Sequence, residues 1–289
     1  MRLLRVGEPG AERPAVESDG RWLDAGSVTH DFDGRFFAGD GIARLRSALE
    51  GGQLPELPRD GVRIGAPLAT PGKVVCIGLN YRDHAAETGA DVPAEPVVFM
   101  KDPSTVIGPN DQVLVPRGSQ KTDWEVELGV VIGTKARYVE KADALKYVAG
   151  YCVVNDVSER EYQLERGGTW DKGKGCDTFG PVGPWMVTAD EIKDPQALAM
   201  WLDVNGQRRQ DGSTKTMIFG VAELVAYCSR FMTLWPGDLI TTGTPPGVAL
   251  GMKPTPVFLK AGDEMRLGIA GLGEQRQKVS AWDPKLIDD

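Results

Sequence analysis

The run Asp123-Trp124-Glu125-Val126-Glu127-Leu128-Gly129-Val130-Val131-Ile132-Gly133 constrains this chain more than any other stretch. Apolar and β-branched residues follow an acidic pair, and glycine closes the run, which is the pattern of a strand. Side chains at i and i+2 leave the same face of a strand. Glu125 and Glu127 therefore point one way, and Trp124 and Val126 the other. Two carboxylates that close repel each other unless water or a cation intervenes. A solvated strand edge is the plainer account of a lone Glu-x-Glu, so the rest of the chain has to separate that account from a cation site.

The chain has 289 residues, 41% of them apolar, enough for one large domain or one large and one small. A formal net charge of -8 argues against a nucleic-acid partner. No apolar run is long enough to span a membrane, and the N-terminus lacks an apolar signal core, so a cytoplasmic protein is expected. Cys76, Cys152, Cys176 and Cys228 are widely spaced and read as free thiols. With only His30 and His84, a histidine-rich metal centre is nearly excluded. Any metal should be a hard cation held by oxygen.

Residues 1–70 read as a small N-terminal module. It has a hairpin turning at Asp19-Gly20 and a helix carrying Ile42, Leu45 and Leu49, stopped by Gly51-Gly52. Residues 71–289 read as the main domain. The strand Lys73–Gly78 opens into a polar segment in which Asp83 through Glu87 suits one or two helical turns, closed by Gly89. His84 and Glu87, three apart, are then neighbours. A carboxylate beside an imidazole orients it and raises its basicity; an ordinary surface ion pair fits the same residues. Such a segment can also order over a ligand as a lid.

Residues 141–149 read as a short helix stopped by Gly150. Tyr151–Asn155 reads as a buried strand with Asp156 at its end, and Ser158-Glu159-Arg160-Glu161 as the capping box of the next helix. Asp156 suits a functional carboxylate or a turn residue. Residues 167–181 look too glycine-rich for regular structure and carry Lys172 and Lys174. Gly243-Thr244-Pro245-Pro246-Gly247 ends a strand and offers a backbone N–H and a hydroxyl, in a loop that also reads as a simple turn.

Glu125, Glu127 and Asp156 come from two strands that could be neighbours. A divalent cation would keep three such anions ionised; a surface acidic patch fits them too. At this point the sequence resembles the fumarylacetoacetate hydrolase family. The matching pieces are Gly78-Leu79-Asn80-Tyr81-x-x-His84, Phe99-x-Lys101, Glu125-x-Glu127-Leu128, Asn155-Asp156-x-Ser158, Lys174-x-x-Asp177-x-x-Gly180-Pro181 and Gly243-Thr244-Pro245-x-Gly247, in the family's order. Trp170-Asp171-Lys172-Gly173-Lys174 looks most like the 2,4-diketo-3-deoxy-L-rhamnonate and L-fuconate hydrolases within it.

The resemblance implies an α+β fold, mainly β with short helices: a mixed β roll, usually a homodimer. It implies Mg²⁺ or Mn²⁺ on Glu125, Glu127 and Asp156. It makes His84 and Glu87 a water-activating dyad on a lid over residues 80–90, and Lys174 a catalytic residue that polarises substrate oxygens. Arg160 and Gln163 would contact the substrate carboxylate or keto group. Thr244 and the Gly243 backbone would hold another substrate oxygen, with Lys101 behind the ligands. The implied reaction is hydrolysis of a carbon–carbon bond in a 2,4-diketo acid, a small-molecule substrate. Decarboxylation or isomerisation of a related keto diacid is the alternative within the fold. A non-catalytic oligomer with a structural cation is the alternative from another class.

Overall fold

The computed structural model describes residues 1–88 and 91–286. A large mixed sheet forms the framework. Its middle runs Arg2–Val6, Gly180–Thr188, Val148–Asn155, Val126–Ile132, Leu239–Thr241, Val74–Gly78 and Val97–Lys101. Neighbours in that row are antiparallel, except that Leu239–Thr241 pairs parallel with Val74–Gly78. A second sheet holds Gln207–Ser213, Ala199–Val204, Glu264–Ile269, Gly273–Ala281 and Val113–Val115. Helices are short; the longest are Gly41–Glu50 and Val221–Phe231. This is the expected α+β architecture, mainly β, with few short helices around mixed sheets. No helix among the described residues is long and apolar enough to cross a membrane.

The period-2 pattern of the opening stretch organises both cores. Val126, Leu128, Val130 and Ile132 pack with Met200, Leu202, Met265 and Leu267 of the second sheet. Val131, on the opposite face, packs with Val74, Cys76, Cys152 and Val154, and with Leu3, Phe36, Phe37 and Leu45 from the first 70 residues. Those residues join the same sheet, since Leu3 pairs with Met186. Their hairpin turns at Asp19 and Gly20 (φ 51° and 79°), as an Asp-Gly type I′ turn requires.

Four local expectations change. The opening stretch is not one strand: Thr122–Asp123 pairs with Ser158–Glu159, Val126–Ile132 pairs with Val148–Asn155, and Trp124 and Glu125 lie between. Gly150 does not stop a helix. The helix is a 3₁₀ segment, Lys141–Tyr147, and Gly150 sits inside the next strand, where a Cβ would strike the Val187 carbonyl. Ser158 is in a strand; Glu159 caps the helix Arg160–Leu164 by accepting from the Glu161 N–H. Residues 167–181 are not all irregular, because Asp171–Lys174 forms one helical turn. Burial of Gly173 against the Glu159 carbonyl and Gln163 sets that turn, a tertiary contact that composition does not reveal. The helix near His84 spans Arg82–Thr88, and its expected stop at Gly89 lies outside the described residues.

Candidate active site

Register brings the acidic residues together. Val126 pairs with Asn155, so Glu125 and Asp156 leave the ends of adjacent antiparallel strands, and the Asp156 N–H donates to the Glu125 carbonyl (2.9 Å). One carboxylate oxygen from each of Glu125, Glu127 and Asp156 lies within 4.8 Å of the others. All three residues are buried, so the solvated-edge and surface-patch accounts fail.

Buried carboxylates need counter-charge. Lys174 Nζ donates to Glu125 Oε2 (2.7 Å) and Asp156 Oδ2 (2.8 Å). Lys101 Nζ donates to Asp156 Oδ1 (2.7 Å), and Arg160 Nη2 to Glu125 Oε1 (2.6 Å). Among the described residues, Glu127 receives only the Gly243 N–H, at Oε2 (2.8 Å). The difference appears in ionisation. Burial pushes the Glu125 carboxyl up, but Lys174 and Arg160 overcome it and hold it at about 2. Burial, then the Asp156 and Glu125 charges, push the Glu127 carboxyl well above the glutamate range. Among the described residues, cations thus hydrogen-bond to two of the three carboxylates and none to Glu127, on which the Lys174 charge acts without a direct bond. The donors are all oxygen, and each oxygen has a second lone pair beyond its hydrogen bond. This set fits a hard divalent ion, Mg²⁺ or Mn²⁺.

His84 and Glu87 are held together on the helix Arg82–Thr88. His84 Nδ1 lies 3.2 Å from Glu87 Oε2, and both Glu87 oxygens accept from the Gly247 N–H at 3.1 Å. Burial raises the Glu87 carboxyl, but the bonds from His84 and Gly247 outweigh it and lower it. An ionised Glu87 makes Nδ1 the donor, so Nε2 carries the lone pair of that tautomer. The root of the helix is pinned by Asn80. Its amide donates to the Phe219 and Thr242 carbonyls (3.0 and 2.8 Å) and accepts from the Phe219 N–H (2.8 Å).

His84, Glu125, Glu127, Gln163, Lys174, Gly243 and Thr244 line one cleft of about 340 Å³, counted to its open mouth. Arg160 takes a different position from the one expected. It does not line the cleft, and three of its five N–H groups go to Asp123 Oδ2 (2.8 Å), Glu125 Oε1 (2.6 Å) and Gln163 Oε1 (2.9 Å). The Gly243 N–H is likewise engaged by Glu127, and the Thr244 hydroxyl donates to the Val126 carbonyl (3.0 Å), so neither has a hydrogen left for a substrate oxygen.

Four contributing residues went unassigned in the sequence. Phe99 and Trp170, in edge contact at 5.3 Å, form the apolar wall. Gly78 lets Trp170 close against the strand, since a Cβ there would collide with the indole. Asp123, fully buried, accepts from Arg160 and the Trp124, Ala249 and Leu250 N–H groups. Phe99 and Gly78 stood inside recognisable motifs, but only the fold shows what they face. Lys101 is equally committed: besides Asp156, it donates to the Val157 and Lys174 carbonyls. Removing it leaves Asp156 Oδ1 and two buried carbonyls without their donor, with Lys174 the remaining cation on Asp156. Lys101→Met is expected to lose about 3–5 kcal/mol of stability in urea unfolding, and a loss under 1 kcal/mol would show that Asp156 is satisfied without it.

Residues 73–280 match the family model described as the C-terminal part of fumarylacetoacetate (FAA) hydrolase. A Burkholderia multivorans protein, provisionally named a hydrolase, is 60% identical over 97% of this chain and 99% of its own length. The chain is also similar to a maleylpyruvate hydrolase from Sphingobium sp. SYK-6, solved with manganese(II) and pyruvate. That structure is 30% identical with a TM-score of 0.81, covering 98% of this chain and 100% of the other. A 5-carboxymethyl-2-hydroxymuconate delta-isomerase from Mycobacterium smegmatis is 32% identical with a TM-score of 0.77, at the same coverage.

Proposed function

This chain belongs to the fumarylacetoacetate hydrolase family, and on that premise we propose that it hydrolyses the C3–C4 bond of an acylpyruvate, a 2,4-diketo acid, with Mg²⁺ or Mn²⁺. The observation that carries this reading is one cleft lined by both His84 and the carboxylates Glu125 and Glu127. Glu125, Glu127 and Asp156 would hold the ion, which would supply Lewis-acid charge to the 2-keto-acid end of the substrate. His84, oriented by Glu87, removes a proton from water at Nε2. The oxygen adds to the C4 carbonyl, and Lys174 places positive charge where that oxygen becomes an anion. The C3–C4 bond then breaks, its electron pair leaves on C3 as the pyruvate enolate, and a proton returned to C3 gives pyruvate. The acyl carbon departs as a carboxylic acid. Arg160 and Gln163 act together: the guanidinium orients the amide, whose NH₂ has no partner among the described residues and suits a substrate oxygen.

The acyl group fits an uncharged, hydroxylated chain such as that of 2,4-diketo-3-deoxy-L-rhamnonate or L-fuconate, which releases lactate. Among the described residues lining the cleft, Lys174 is the only lysine or arginine, and it already serves two carboxylates. A second substrate carboxylate would have no cation to meet. Acylpyruvates with neutral acyl groups should therefore exceed dicarboxylates such as maleylpyruvate by about tenfold or more in kcat/KM. A preference for dicarboxylates would reject this acyl assignment.

The isomerase among the similar structures shows that this fold also supports a reaction without water attack. A panel of acylpyruvates and keto diacids, run with and without EDTA, separates the readings by product. Pyruvate plus a carboxylic acid, lost on chelation, is expected. Carbon dioxide alone, or an isomer alone, would replace hydrolysis by decarboxylation or isomerisation.

A further inference from the structure

Glu87 is held by more than His84. Its carboxylate docks on the N–H of Gly247, and the Gly247 carbonyl accepts from the indole Nε1 of Trp124 (3.1 Å). Gly247 has φ +105°, and a Cβ there would collide with the Arg209 carbonyl, so the turn has little room to move. Asp123 holds the next residues, accepting from the Ala249 N–H (2.7 Å) and the Leu250 N–H (3.1 Å). Gly251 lies against the Glu87 side chain: a Cβ there would come within 2.8 Å of its carboxyl carbon. Asp123 and Trp124 immediately precede Glu125, and Asp123 reaches Glu125 a second way through Arg160.

We propose that residues 247–251 form a latch that sets the His84–Glu87 pair at a fixed position relative to the acidic triad, and that Trp124 is a positioning residue acting through Gly247 and Glu87. The indole holds the Gly247 carbonyl, in the peptide unit that follows the Gly247 Cα, and the N–H that holds Glu87 lies in the unit that precedes it, so the two bonds fix Gly247 from both sides. Glu87 in turn orients His84. The metal-side strand and the base-bearing helix are otherwise distant in sequence, and this chain of bonds ties them together. A buried indole could instead be simple core filling, since Trp124 also packs in the main apolar cluster. The two roles differ in one respect: a filling residue affects turnover whether or not Glu87 is present, whereas a latch acts only through it.

The inference rests on the proposed hydrolase reading, and a double-mutant cycle tests the two apart. Trp124→Phe keeps an aromatic ring and deletes the N–H. Its kcat on an acylpyruvate should fall about tenfold, with KM and Mn²⁺ affinity unchanged, while in a Glu87→Ala background the same substitution should change kcat less than twofold. An equal loss in both backgrounds, or no loss in the wild type, overturns the latch. If Glu87→Ala alone leaves kcat intact, the dyad of the proposed function fails instead. Should Trp124→Phe not fold, 3-benzothienylalanine at position 124 preserves ring size while replacing N–H by sulfur, and the same two outcomes apply.

Discussion

Glu127→Gln is expected to lower kcat by about 1000-fold or more, the scale of removing direct charge stabilisation from a dry site, and to remove Mn²⁺-induced thermal stabilisation. The substitution is nearly isosteric, and its carbonyl can still accept from the Gly243 N–H. What it removes is the one triad carboxylate to which no cation among the described residues bonds. For that reason the variant in EDTA should be at least as stable as the wild type above the ordinary glutamate pKa, because folding no longer has to protonate a buried carboxyl that the unfolded chain leaves ionised.

The pH dependence has a definite sign. The Glu127 carboxyl is raised in the fold, so the metal-free native state holds a proton that the unfolded chain has released. Metal-free stability should therefore fall as pH rises from the ordinary glutamate value of 4.5 towards the raised folded value, and Glu127→Gln should flatten that slope. Melting curves with EDTA and with Mn²⁺, across pH, check all three points. A variant that still gains stability from Mn²⁺ would remove Glu127 from the ligand set.

His84→Ala is expected to cost about 10²–10⁴ in kcat, the range for a positioned general base, with little change in KM. The imidazole is hydrogen-bonded to Glu87 and the acidic triad is Glu125, Glu127 and Asp156, so Mn²⁺ affinity should not move. That separation distinguishes a lost base from a lost metal. Glu87→Ala should give a smaller loss, because it removes orientation and leaves the imidazole. Steady-state kinetics on an acylpyruvate, with Mn²⁺ titrated calorimetrically, would decide. Full turnover in His84→Ala would exclude it as the base.

The residues behind these predictions were unequally legible. Period-2 alternation in Val126–Ile132 needs only backbone geometry, so it identifies the strand and its faces directly. The spacing of His84 and Glu87 needs only a helical turn, and the structure brings them to 3.2 Å. Arg160 shows the limit of such reading. The resemblance marked it for substrate, but its guanidinium bonds to Asp123 and Glu125, which lie 37 and 35 residues away in the chain. Asp123 carried no local signal, because its four donors come from three separate segments. The turn at Asp171–Lys174 was hidden for the same reason: glycine content predicts freedom, while contact with Gln163 and Glu159 removes it.

By itself the sequence determined the strand faces, the helical pairing of imidazole with carboxylate, and an acidic set suited to a hard cation. These follow from periodicity and side-chain chemistry, which act over a few residues. Only the tertiary structure decided which carboxylates are buried, which cations each one receives, and that no cation among the described residues bonds to Glu127. Those outcomes depend on strand register and on desolvation by distant segments, and both exist only after the sheets have closed.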